Sequence, residues 1–121
     1  MNRLLLSLGV TALLLTAGHA FAHADLDSSD PASGATIAAA PAKISITFTE
    51  EVAPKLSTIE VLDPMGMRAD DGAAQIDDSD PKVLTIGLKS MGAGTYKVNW
   101  RAIATDDGHK TEGSYQFTVK P

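Results

Sequence analysis

Two stretches of this 121-residue chain carry residue types that could do chemistry. One is Asp107-Gly108-His109, a carboxylate and an imidazole separated by a single glycine. The other is His23, which directly follows Ala20-Phe21-Ala22, a small-x-small sequence of the kind cut during export. A cut at that point makes His23 the amino terminus. Its freed α-amine and its ring Nδ1 can then close one chelate ring on the same ion. An α-amine has an ordinary pKa of about 7.7–8.0, so a metal displaces its proton readily at neutral pH. In an extended segment residues two apart project to one side, so Asp107 and His109 are expected to reach that ion together. Gly108 would let the backbone approach closely. The sum is two imidazoles, one amine and one carboxylate. In a tetragonal plane such a set favours Cu(II), with Ni(II) and Zn(II) behind it, since zinc prefers a tetrahedron. A cut one residue earlier or later destroys the chelate. Asp-Gly is also an ordinary turn former, and a surface histidine beside one commonly binds nothing, so neither stretch is convincing without the other.

Other residues offer less. Met65 and Met67 could present thioethers to Cu(I), which takes soft ligands, but two are few; the alternatives are packing against the fold or exposure in a loop. Asp70, Asp71, Asp77, Asp78 and Asp80 lack the spacing of a calcium loop and read as solvated surface. Ser28, Ser29 and Thr105 have no neighbouring base, and no glycine-rich phosphate loop opens a helix. There is no cysteine, which excludes a disulfide scaffold, a thiolate metal site and a cysteine nucleophile.

The elements that must position these residues begin after the export segment. Residues 1–22 have the three parts of a signal peptide: Arg3, the apolar run from Leu4 to Ala17, and the cleavage end. That run, about fourteen residues, is short of the roughly 20 that span a membrane. Removal leaves 99 residues, 23–121, one domain with a single core. Without Arg3 there are nine Lys and Arg against fifteen Asp and Glu, a formal charge of −6. So acidic a chain, without a basic cluster, argues against nucleic acid and anionic lipid as partners.

Beyond residue 23 apolar residues alternate with polar ones, the period of half-buried strands. The strong segments are Lys43 to Glu50, Val83 to Leu88, Gly94 to Ile103 and a last one around Tyr115, Phe117 and Val119. Weaker ones are Ala24 to Ser29, Ser57 to Leu62 and Ala73 to Asp77. Between them lie turn clusters such as Asp30-Pro31-Ala32-Ser33-Gly34, Asp63-Pro64-Met65-Gly66 and Asp80-Pro81. The alanine-rich stretch Ala35 to Ala42 reads as a loop. Seven short strands with no amphipathic helix predict an all-β fold, a two-sheet antiparallel sandwich. Tyr96, two residues before the inward Val98, is either a tyrosine corner or a plain core aromatic.

The chain resembles the CopC family of periplasmic copper-binding proteins. The resemblance runs from His23-Ala24 through Asp30-Pro31-Ala32-Ser33-Gly34, Ile46-Thr47-Phe48-Thr49-Glu50, Gly94-Thr95-Tyr96-Lys97-Val98-Asn99-Trp100-Arg101, Asp107-Gly108-His109 and Gly113-Ser114-Tyr115-Gln116-Phe117. It implies a seven-stranded Greek-key sandwich, immunoglobulin- or cupredoxin-like, that carries Cu(II) without turnover. One ion per monomer would be held by His23, Asp107 and His109, with Glu50 as an outer partner. An inner-membrane transporter of CopD type is the implied recipient. Two departures stand out. Asp106-Asp107 lengthens the interval from Trp100 by one residue, which makes Asp106 an alternative ligand. The methionine-rich Cu(I) site of some members is reduced to Met65 and Met67. Two rivals are a histidine-brace copper monooxygenase, which needs a flat aromatic surface for a polysaccharide, and an immunoglobulin-like interaction module with incidental histidines.

Overall fold

Apolar alternation becomes two packed sheets in the computed structural model, which describes residues 24–89 and 91–121. The signal segment and His23 lie outside the described residues. The strands are β1 (Leu26–Asp30), β2 (Thr36–Ile37), β3 (Lys43–Phe48), β4 (Thr58–Leu62), β5 (Gln75–Asp77), β6 (Asp80–Gly87), β7 (Gly94–Ile103) and β8 (Lys110–Val119). One sheet has the order β1-β3-β6-β5 and the other β2-β8-β7-β4. Every pairing is antiparallel except β2 with β8. The inward sets are buried as the period of two demands: Ile44, Ile46 and Phe48 from β3, Leu84 and Ile86 from β6, Val98 and Ala102 from β7, Tyr115, Phe117 and Val119 from β8. Together they form one core between the sheets.

All seven expected strands are present, and four details differ. The alanine-rich segment holds β2, two residues in parallel register with Thr118 and Val119. Asp80-Pro81 opens β6 instead of breaking the chain; proline is tolerated at a strand start. Its carbonyl accepts from the Val52 amide at 3.3 Å. The turn falls one step earlier, where Asp77 Oδ1 accepts from both the amide and the hydroxyl of Ser79. Finally, β8 starts at Lys110, well before its apolar alternation does.

Tyr96 does both things open to it. Its ring is buried and stacks on Phe117 with centroids 5.4 Å apart. Its hydroxyl donates to the Gly92 carbonyl at 2.7 Å, four residues upstream, which is a tyrosine corner. Trp100 meets Phe48 edge-on at 5.4 Å and roofs Gly113 on the neighbouring strand. A Cβ at Gly113 would lie 2.6 Å from the indole, so glycine makes room for it.

Asp70 departs most from the reading of a solvated acidic run, for it is only 3% exposed. Its carboxylate accepts from the Val61 amide at 2.7 Å, the Gly72 amide at 2.8 Å, and Arg68 Nε and Nη2 at 2.9 and 2.7 Å. Burial pushes this carboxyl up, but the Arg68 guanidinium and the two amides outweigh it and hold the group below the ordinary carboxylate range. The carboxylate thereby pins the segment after β4 to β4 itself, an edge strand of its sheet.

Candidate metal centre

Asp107-Gly108-His109 lies in the six-residue link between β7 and β8. The link is a closed turn, not the extended segment expected from the sequence. The Ala104 amide donates to the His109 carbonyl at 3.0 Å, and the Gly108 amide donates to the Ala104 carbonyl at 2.9 Å. Gly108 has φ +71°, a left-handed conformation that glycine adopts without strain. Asp107 Oδ1 accepts from the His109 amide at 2.9 Å, an Asx turn. The carboxylate is thus held against the backbone amide of the histidine, because the aspartate shapes the turn. Strand alternation plays no part. Both residues are exposed.

The link is anchored on the segment between β3 and β4. The Thr105 amide donates to the Glu51 carbonyl at 3.0 Å and the Ala53 amide to the Ile103 carbonyl at 2.8 Å, with a bridge between Val52 and Ala104. This brings Glu50 and Glu51 opposite Thr105 and Asp106 across a cleft of about 250 Å³. Asp106 therefore faces the cleft, while Asp107 braces His109. Glu50, Glu51, Asp106 and Asp107 give this end a negative field that attracts a cation.

The first described residues are tied down at the same end. Ala24 is fully buried, and its carbonyl accepts from the Thr111 hydroxyl at 2.7 Å. Asp25 is bonded twice to Thr49: its carbonyl accepts from the Thr49 amide at 2.8 Å and its amide donates to Thr49 Oγ1 at 3.1 Å. Thr111 is two residues beyond His109, and Thr49 adjoins Glu50. Among the described residues no three or more His, Cys, Asp or Glu are grouped to hold a metal. The described part of the expected set supplies Asp107 and His109, and the third member, His23, precedes Ala24. Sequence reasoning had no signal for Thr111 and Thr49, whose hydroxyls act across 87 and 24 residues.

Other sites offer less. Met65 and Met67 are 85% and 64% exposed in the turn after β4. Asp63 Oδ1 accepts both their amides, at 2.8 and 2.9 Å. That turn packs against Gly94 at the start of β7, so it lies at the far end of a ten-residue strand, about 30 Å from the β7–β8 link. A larger hollow of about 440 Å³ runs beside β4, lined in part by Glu60 and Arg68. Its charged groups neutralise each other at 3.8 Å and no histidine lines it. Phe48, Tyr96, Tyr115 and Phe117 are buried and Trp100 is half-buried, so the described aromatics build no flat exposed surface for a polysaccharide. No helix among the described residues is long and apolar enough to cross a membrane.

The CopC domain family matches residues 26–120. Copper resistance protein C of Pseudomonas syringae pv. tomato is 38% identical over 117 residues, covering 88% of each chain. Copper transport protein CutJ of Bacillus subtilis is 30% identical over 100 residues, 82% of this chain and 18% of that protein. The crystal structure of CopC from Methylosinus trichosporium OB3b superposes with a TM-score of 0.76 at 32% identity, covering 82% of this chain and 95% of that one.

Proposed function

The chain belongs to the CopC domain family, and from that membership we propose that it is a periplasmic copper(II) carrier or buffer in copper resistance. The observation that carries this reading is the convergence at one end of the sandwich. The covalent neighbour of His23 is bonded to Thr111, two residues beyond His109. Ala24 is thereby fastened to the strand that begins directly after the β7–β8 link.

The proposed donors are the His23 α-amine and ring, the His109 ring and a carboxylate. Asp107 is the carboxylate favoured by adjacency, since it already folds over the His109 backbone. Asp106 is the alternative carboxylate ligand and Glu50 the proposed outer partner, and both line the cleft. One Cu(II) is held per monomer, as cargo, with no chemical turnover. Deprotonation of the amine on binding makes removal of residues 1–22 the step that creates the site. Met65 and Met67 are two exposed thioethers in a turn braced by Asp63, and no Cu(I) site is assigned to them. The recipient is proposed to be an inner-membrane transporter of CopD type. In support, the region matched in CutJ is a fraction of a longer protein named for copper transport.

The test is a Cu(II) titration of two forms, one beginning at His23 and one retaining Ala22. The first should bind one equivalent tightly, and the second should bind far more weakly because its amine is replaced by an amide. Equal affinity would sink the terminal chelate.

A further inference from the structure

We infer that Thr111 is a positioning residue for the amino-terminal half of this site, an inference that rests on the copper reading above. The Thr111 hydroxyl donates to the Ala24 carbonyl at 2.7 Å, joining residues 87 apart in sequence. Thr111 is the second residue of β8, paired with Ala102 of β7 and partly buried on the inward side. Thr49 holds the next residue, Asp25, from the other sheet by two bonds. The terminal segment therefore lies in a clamp with one jaw on each sheet. Ala24 is fully buried between them, which accounts for a small side chain at that position.

The clamp has a chemical consequence. A terminal residue free to swing offers its donors to an ion only after losing its conformational freedom. A terminus already bonded at its second residue has lost most of that freedom before the metal arrives, which is preorganisation. The bond also runs to the strand that begins right after His109, so both halves of the site are referred to one rigid element. Thr111 touches no metal in this scheme. It acts through the Ala24 carbonyl.

The test compares Thr111→Val, which keeps the shape and removes the hydroxyl, with Thr111→Ser, which keeps the hydroxyl. Both are made in protein beginning at His23, and Thr111→Ala substitutes should the valine prevent folding. Cu(II) affinity by competition titration should fall about 10–100-fold for the valine variant, the usual range for losing a group that orients a ligand. The serine variant should return close to the parent. In metal-free protein, hydrogen exchange at the Asp25 amide should quicken in the valine variant alone, with the thermal midpoint falling by several degrees as the buried Ala24 carbonyl loses its donor. Parent-like copper affinity in the folded valine or alanine variant would overturn the role of Thr111 while leaving the copper reading intact. Failure of the parent to bind copper would instead overturn the copper reading and this role with it.

Discussion

Replacing Asp70 with Asn keeps the side-chain size and removes one charge from a site that is 3% exposed. The carboxylate accepts four N–H groups, and the Val61 amide at 2.7 Å is buried with it. A hydrogen bond to a charged acceptor contributes about 1.5–3 kcal/mol against about 0.5–1.5 for a neutral one. The two backbone bonds run to different oxygens, Val61 to Oδ2 and Gly72 to Oδ1, and asparagine has one acceptor oxygen, so one bond weakens by about 1 kcal/mol and the other, worth about 1.5–3 kcal/mol, is lost. The Arg68 pair adds little, because the arginine side chain is 49% exposed and can turn to water. The expected loss is about 2.5–4 kcal/mol, or about 10–30 °C in the thermal midpoint of a domain this size. Far-UV circular dichroism melts of metal-free protein at neutral pH measure it directly. The pH dependence follows from the depressed carboxyl. Its stabilisation is complete above the unfolded carboxylate value near 4 and is lost as pH falls through the lower folded value. The gap between parent and variant should thus stay constant above about pH 5 and shrink steadily below about pH 4. Equal midpoints at neutral pH, or a gap that widens in acid, would refute the account of Asp70 as a buried, paired carboxylate.

Tyr96→Phe removes the bond to the Gly92 carbonyl but leaves the ring on Phe117, and should cost about 1 kcal/mol in denaturant melts, because that exposed glycine can be hydrated instead. Gly113→Val would drive a side chain into the indole of Trp100, the only tryptophan, so its emission should shift and stability should drop by about 1–3 kcal/mol. His109→Ala should weaken Cu(II) binding by more than the roughly 100-fold upper figure for an outer partner, while the fold melts as the parent does, because the ring is exposed.

Strand alternation was legible where side chains carry it. β7 was read to the residue, because Tyr96, Val98, Trp100 and Ala102 point inward in unbroken register. β2 was not, because a two-residue parallel bridge is made by backbone groups and leaves no side-chain period. The first half of β8 was hidden for a related reason: Gly113 has no side chain to alternate, and the ring that covers it comes from Trp100. Pro81 looked like a breaker because its ring removes a donor, yet a strand start does not need one. Asp70 looked like its acidic neighbours, and only the fold places Arg68 and two amides around it. At the site, residue types were legible and geometry was not. Asp107 and His109 meet through an Asx turn, and the threonines that hold Ala24 and Asp25 belong to no local pattern.

The β7–β8 hairpin also orders events in time. Its two ten-residue strands are joined by six residues, so the turn bearing Asp107 and His109 closes a short loop. The bond from Thr111 to Ala24 closes one of 87 residues. Loop entropy grows with the logarithm of length, so the long closure costs about 2 kcal/mol more and comes late. On the copper reading proposed above, a refolding chain would form the turn bearing Asp107 and His109 before it fastens the segment at Ala24. Under that proposal, tight metal uptake would report that the chain has been both trimmed and completely folded.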